Sequence, residues 1–206
     1  MIFEEHVAKA RVLAPAGVPV PRSRLCGSAE EAAQAFGEIV PCVVKAQVPT
    51  GKRGKAGGIR AADSLEEAGD VAAAILGLSI DGHAVASVLV EERVPVVREL
   101  YAAVLHDWES RRPLVLFSTE GGMDIEEIAA ERPDAIRRRT VNLHAGFDWR
   151  DASALLAGLD LGPAEDAVVD VLEKLYGVYR ERDAELLEIN LLPCSTTGAS
   201  SRSIAS

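Results

Sequence analysis

Cys42-Val43-Val44-Lys45-Ala46-Gln47-Val48 runs directly into Pro49-Thr50-Gly51-Lys52-Arg53-Gly54-Lys55-Ala56-Gly57-Gly58. The first half is apolar and valine-rich apart from Lys45 and Gln47, which predicts a strand over 40–48. The second half holds too many glycines for a helix or a strand and predicts a loop. Strand alternation puts Val43 and Lys45 on one face. A lysine there is either a guard on an edge strand or a buried cation awaiting an anion. The window 45–60 carries Lys45, Lys52, Arg53, Lys55 and Arg60 with no acidic residue, and it contains Gly51, Gly54, Gly57 and Gly58. Glycines let backbone N–H groups approach an anion, and lysines supply point charge, which is what a polyphosphate requires. A solvated, flexible basic turn has the same composition. The loop is not a Walker A loop, because Lys55 is followed by Ala56 and no Ser or Thr stands ready for a metal.

Helical signals flank this stretch. Ser28-Ala29-Glu30-Glu31 and Ser64-Leu65-Glu66-Glu67 have the form of capping boxes, predicting helices to about Phe36 and Leu76. Residues 3–16 predict a helix ended by Pro15 and Gly17, and Val18-Pro19-Val20-Pro21 forces an extended passage. Strands are expected over 85–91, 96–106 and 113–117, the last two joined as a hairpin around Glu109-Ser110. A short helix over 124–131 is stopped by Pro133. After Pro163, the residues Val168, Val171, Leu172, Leu175 and Tyr176 form one apolar helical face. A final strand spans 186–192, and the Ser/Thr/Gly/Ala-rich stretch 193–206 reads as an unfolded tail. This order predicts an α+β fold with mixed and antiparallel sheets, flanking helices and two lobes. The smaller lobe is expected over 22–95, inserted into a larger one built from 1–21 and 96–192.

A chain of 206 residues with 48% hydrophobic content can bury a real core. Its 22 basic and 32 acidic residues leave a net charge of −10, so the surface as a whole should repel nucleic acid and anionic membranes. No apolar run approaches the ~20 residues of a membrane span, and no basic stretch precedes an apolar block at the start, so no membrane partner and no signal peptide are expected. Cys26, Cys42 and Cys194 are scattered, without disulfide or metal-knuckle spacing, which makes the cytoplasm the expected compartment. None of His6, His83, His106 and His144 stands at ligand spacing or beside a nucleophile motif. Glu91, Glu92 and Glu99 flank the junction of two expected strands. Glu188 and Asn190 stand two apart on the last strand and share a face, and oxygen ligands so placed suit magnesium; singly, each has the character of an ordinary surface residue.

Four blocks, in order, resemble the ATP-grasp part of the succinyl-CoA synthetase beta subunit family. They are 43–58; Leu89-Val90-Glu91 with Arg98-Glu99-Leu100-Tyr101; Ser118-Thr119-Glu120-Gly121-Gly122-Met123-Asp124-Ile125-Glu126; and Leu187-Glu188-Ile189-Asn190. Ala8-Lys9 and Gly17-Val18-Pro19 also fit, so the resemblance covers the chain to about Leu192. It implies an ATP-grasp fold whose two lobes grip a nucleotide between them. Lys45 would contact ATP phosphates, and Lys52-Arg53-Gly54 would form the phosphate-covering loop. Glu91 and the backbone near Val94 would face adenine and ribose, and Glu99 would be a further nucleotide contact. Asn190 would bind magnesium with Glu188 beside it. The implied cofactors are ATP or GTP and magnesium. The implied partner is a CoA-binding alpha-type subunit carrying the histidine that ATP phosphorylates.

The chain departs from the family pattern at several positions. Lys52 stands where glycine is usual, Pro49-Thr50 where histidine and alanine are usual, and Leu191 where proline is usual. From Ile189 to Ser206 there is no Asp or Glu, so the aspartate that completes the family's magnesium site is missing from its expected place, as is the C-terminal CoA-ligase domain. The resemblance therefore implies the ATP-binding subunit or domain of an acid–CoA ligase that is inactive alone. A truncated or diverged nucleotide-binding module without catalysis, or a ligase for malate or citrate, is the alternative.

Overall fold

Strand Cys42–Ala46 (β2) is an interior strand, with Ile59–Ala62 (β3) on one side and Val88–Glu92 (β6) on the other. Ser23–Cys26 (β1) completes a four-stranded sheet, and every pairing in it is antiparallel. This removes the edge-guard explanation of Lys45. The computed structural model describes residues 3–51, 53–95, 98–122 and 125–194.

The pleat sorts the side chains of β2. Cys42, Val44 and Ala46 face a core shared with Val88 and Val90 of β6 and with two helices, Ala29–Phe36 (α2) and Leu65–Leu76 (α3). Those helices contribute Ala32, Ala35, Ala68 and Ala72, small side chains that let the layers approach closely, and the larger Ile75. Both helices start at the expected serines, whose hydroxyls accept the Glu31 and Glu67 N–H groups at 3.2 and 3.1 Å. The return bonds land one residue before the cap: Glu31 accepts from Gly27 N–H and Glu67 from Asp63 N–H. The alternate positions, Val43 and Lys45 on β2 with Leu89 and Glu91 on β6, belong to the opposite face. Register sets Val43 across from Glu91 and Lys45 across from Leu89, so Lys45 and Glu91 are diagonal neighbours within reach of long side chains. Two short strands, Ser79–Ile80 (β4) and His83–Ala84 (β5), form a small hairpin before β6.

The second sheet has the order β10-β7-β8-β9, again antiparallel throughout, with β7 at Arg98–Asp107, β8 at Arg112–Ser118, β9 at Ile136–Thr140 and β10 at Leu186–Cys194. The expected hairpin joins β7 and β8; Asp107 caps its turn by accepting the Glu109 and Ser110 N–H groups, each at 3.2 Å. Leu100, Ala102, Val104, Val115 and Phe117 pack against Trp149–Leu156 (α5) and Glu165–Glu181 (α6). The predicted face of α6 is buried at Val168, Val171, Leu172, Leu175 and Tyr176. The short helix Ile125–Glu131 (α4) follows the Gly121-Gly122 turn.

The chain divides into two units, Met1–Val12 with Pro21–Val94 and Leu13–Val20 with Pro95–Ser206. Val43 and Leu187 thus belong to different sheets. The expected division, 22–95 against 1–21 with 96–192, differs from this at Pro21 and Pro95 by one residue each and, more substantially, at 3–12. Those residues, including the helix Glu5–Ala8 (α1), go with the first unit because Glu5 and Lys9 pair with Lys45 and Glu91. The strand β10 continues through Pro193 and Cys194, paired with Glu99 and Arg98, so these two residues are not part of an unfolded tail. The rest of that expectation, 195–206, lies outside the described residues. Among the described residues, no helix is long and apolar enough to cross a membrane.

Candidate functional site

In the first unit, Lys45 lies at the centre of a buried charge cluster. Its Nζ is 2.6 Å from Glu91 Oε1 and 3.2 Å from Glu5 Oε1. Lys9 Nζ donates to the other Glu91 oxygen and lies 2.6 Å from Glu5 Oε1. Arg53 sets its guanidinium 2.8 Å from Glu5 Oε2 and donates to the Ala46 carbonyl at 3.0 Å. Among the described residues, three cations therefore meet two carboxylates. Glu91 is fully enclosed, and Lys9 and Lys45 are 5% and 7% exposed.

Burial alone would discourage ionisation of Lys45 and Glu5; the charges facing them reverse it. Lys45 loses solvation, yet Glu5 and Glu91 hold its pKa above the ordinary lysine value. Glu5 is likewise desolvated, and Lys45, Lys9 and Arg53 together hold its carboxyl well below the usual carboxylate range. For Lys45 and Glu5, the facing opposite charges outweigh the loss of solvation.

Helix α1 is brought here by local sequence. Glu5 and Lys9 are one helical turn apart, so both point to one side. Gln47, 2% exposed, fixes the same helix by accepting the His6 N–H at 3.0 Å while its amide donates to the Lys45 and Ala46 carbonyls. After Ala8 the helix widens into a π turn over Lys9–Leu13.

The glycine-rich segment closes into a defined turn. Gly58 N–H bonds the Arg53 carbonyl at 2.8 Å and Gly57 N–H bonds the Gly54 carbonyl at 3.0 Å, with Gly57 at φ +74°. This pair of bonds around a left-handed residue is the Schellman arrangement, which favours glycine at its fifth position. A Cβ on Gly58 would fall 2.8 Å from Ile80 Cδ1, so glycine is needed for the Gly58 carbonyl to reach Ala46 N–H at 2.7 Å. Gly51 and Gly54 have open space around them, and Gly54 is exposed. Of the phosphate-loop residues expected from sequence, Arg53 and Gly54 are placed here, and Lys52 lies outside the described residues. Val94 follows β6 and is half-buried.

Glu99, Glu188 and Asn190 belong to the second unit. The Glu99 carbonyl accepts Gly121 N–H at 2.8 Å, and Asn190 Oδ1 accepts Gly122 N–H at 2.9 Å. A Cβ on Gly121 would fall 2.6 Å from the Leu100 carbonyl carbon, and Gly122 has φ +71° beside the Glu99 carboxylate. Both glycines are required by this turn. Glu188 Oε2 is 3.3 Å from the Tyr101 hydroxyl, which burial first and the Glu188 charge second hold well above its usual pKa. Among the described residues no three His, Cys, Asp or Glu side chains gather into a metal cage. The exposed oxygen donors Glu188 and Asn190 nonetheless fit magnesium in kind, since that ion takes one or two protein oxygens and completes its shell with water and phosphate. This unit also has a cavity of about 210 Å³ lined by residues including His106, Tyr179, Arg180 and Asp183. That is below the usual range for small-molecule sites.

Sequence reasoning named Lys45, Arg53 and Glu91, but Glu91, expected against adenine and ribose, is fully enclosed and pairs with Lys9 and Lys45, and the roles of Glu5 and Gln47 were not foreseen. The available signal was the i, i+4 spacing of Glu5 and Lys9. Nothing local tied that pair to Lys45, which stands 36 residues after Lys9 and 40 after Glu5.

The family model for the ATP-grasp domain matches residues 2–194. The beta subunit of ADP-forming succinate–CoA ligase from Halorubrum lacusprofundi is 44% identical over 92% of this chain and 50% of its own length. The GDP-forming beta subunit from Thermus thermophilus is 42% identical over 96% of this chain and 52% of its own. The chain thus spans about half the length of these curated relatives. A solved structure of dinucleotide forming acetyl-coenzyme A synthetase 1 from Ca. Korarchaeum cryptofilum, complexed with coenzyme A and Ca-AMPCP, superposes with a TM-score of 0.77 at 25% identity, covering 95% of this chain and 88% of that one. ATP citrate lyase from Methanothrix soehngenii shares the fold at 23% identity, with a TM-score of 0.68 over 98% of this chain and 48% of its own. A family match over almost every residue, on a chain whose two units are antiparallel sheets covered by helices, leads to one assignment: the chain belongs to the ATP-grasp domain family.

Proposed function

We propose that this chain binds the polyphosphate of ATP or GTP through Lys45, Arg53 and the 51–58 loop, as the nucleotide-binding part of an acid–CoA ligase of the succinate–CoA ligase type. The observation that carries this reading is the Lys45 cluster. Its three cations against two carboxylates leave one net positive charge beside an exposed glycine loop, inside a chain of net charge −10. Fixed cations in a poorly solvated setting stabilise phosphate charge more strongly than mobile ones in water, and they need no reorganisation as charge shifts during transfer.

Lys45 is the group we assign to the phosphates. Glu91 acts through it, holding the ammonium protonated and in place. Arg53 and the open backbone at Gly51 and Gly54 cover the phosphate chain. Glu99 is assigned as a further nucleotide contact, and Asn190 and Glu188 as the oxygen donors for magnesium, which would neutralise phosphate charge when bound. The acceptor in this reading is a histidine on a CoA-binding alpha-type subunit, and the names of the ADP- and GDP-forming relatives support a nucleoside triphosphate as donor.

Calorimetric titration of the chain with Mg·ATP tests this assignment. Lys45→Ala should weaken binding by about 1.5–3 kcal/mol, the scale of a charge-assisted hydrogen bond. Equal affinity in both proteins would remove Lys45 from the site.

A further inference from the structure

Lys45 and Arg53, the cations given above to the polyphosphate, are already held by one internal carboxylate. Glu5 Oε1 lies 3.2 Å from Lys45, and Oε2 lies 2.8 Å from the Arg53 guanidinium. The two carboxylates of the cluster are not equivalent. Glu91 is on the central strand β6, fully enclosed, and accepts directed bonds from Lys9 and Lys45. Glu5 sits on a four-residue helix near the start of the chain, and its side chain is 12% exposed. Its Oε1 accepts from Lys9 at 2.6 Å and from Lys45 at 3.2 Å, but its buried Oε2 receives no directed hydrogen bond, so its contact with Arg53 is charge proximity without good geometry.

We infer that Glu5 is an internal stand-in for phosphate, which an incoming polyphosphate displaces from Lys45 and Arg53. The inference rests on the polyphosphate reading above. Physically, the exchange replaces one carboxylate, bonded to Lys45 through a single oxygen and not aimed at Arg53, by an anion with several charges and many acceptor oxygens. Lys9 keeps Glu91 as its partner throughout, so no cation is left uncompensated. Glu5 is then a positioning residue. It holds Lys45 and Arg53 ordered in the free protein and opposes nucleotide binding, and its release loosens the first turn of α1.

Titration calorimetry of the whole chain with inorganic tripolyphosphate and with Mg·ATP tests this, comparing the unsubstituted protein with Glu5→Gln. Glu5→Gln should bind both ligands roughly tenfold more tightly, with a steeper loss of affinity as salt rises. A purely structural Glu5 would give the opposite sign. Binding by the parent with equal or weaker binding by Glu5→Gln overturns the inference and leaves the nucleotide reading standing. Absence of binding in both proteins overturns the two together. Should Glu5→Gln fail to fold, amide exchange of the unsubstituted protein decides. The Val7 and Ala8 amides, bonded to the Glu4 carbonyl, should exchange several-fold faster with tripolyphosphate present. Unchanged or slower exchange there refutes displacement.

Discussion

Glu91→Gln removes one charge and almost no volume from the most enclosed point of the cluster. Glu91 is fully buried, with Lys45 at 2.6 Å and Lys9 on its other oxygen. Breaking a buried ion pair from one side costs about 3–5 kcal/mol, because the remaining charge stays desolvated. Here Glu5 still faces both lysines, which places the expected loss near the lower end, about 3 kcal/mol. Replacing both members of the main pair, as Lys45→Met with Glu91→Met, should recover most of that loss, since two well-packed apolar side chains need no partner. The assay has to report on the correct unit. Trp108, Trp149, Tyr101, Tyr176 and Tyr179 all lie in the second unit, so intrinsic fluorescence does not follow the first. Native-state hydrogen exchange at the amides of β2 and β6 does. Glu91→Gln should speed the slowest of them roughly a hundredfold while the fluorescence-detected midpoint holds. Unchanged exchange in Glu91→Gln, or a double variant as unstable as the single one, would refute the account of the cluster.

Three further outcomes are expected. Gly121→Ala places a Cβ 2.6 Å from the Leu100 carbonyl carbon, so it should destabilise the second unit by about 1–3 kcal/mol, read as a lower fluorescence midpoint in urea. Stability of the first unit should depend on pH at both extremes. The depressed Glu5 pKa gives a contribution present above the ordinary value of 4.5 and lost as pH falls through the lowered one, and the raised Lys45 pKa gives one fully present below the ordinary 10.5 and lost as pH rises through the raised one. Amide exchange against pH checks this, and Glu5→Gln should abolish much of the acid limb. In a coupled assay with ATP, magnesium, CoA and succinate, the chain without a partner subunit should make no succinyl-CoA, and steady product would contradict the proposed division of labour.

The elements most legible in the sequence were those with strong local signals. Ser28 and Ser64 start their helices as expected, the apolar face of α6 is buried as spaced, and the β7–β8 hairpin follows its turn residues. Elements without such signals were missed. β9 reads Ile136-Arg137-Arg138-Arg139-Thr140, polar after its first residue; it is a strand because β8 supplies the hydrogen-bonding edge. β1 and β3 are edge strands of four residues each, too short to show an alternating pattern. Helix α5 begins at Asp148, whose capping box with Asp151 uses two aspartates in place of the serine–glutamate pattern. At the candidate site, the lysine on a strand interior and its glycine loop pointed to the segment where the buried charge cluster lies. The identity of the anion beside that lysine was not legible, because Glu5, Glu91 and Lys45 are far apart in sequence and meet only through strand register and the placement of α1.

The central claim is that nucleotide phosphates are held at Lys45 and the 51–58 loop. Hydrogen exchange across the whole chain, with and without a non-hydrolysable ATP analogue and magnesium, tests it most directly. The account predicts slowed exchange over 44–58, with little change along β8 and β9. Slowing confined to the segments around His106 and Tyr179, with 44–58 unaffected, would contradict it.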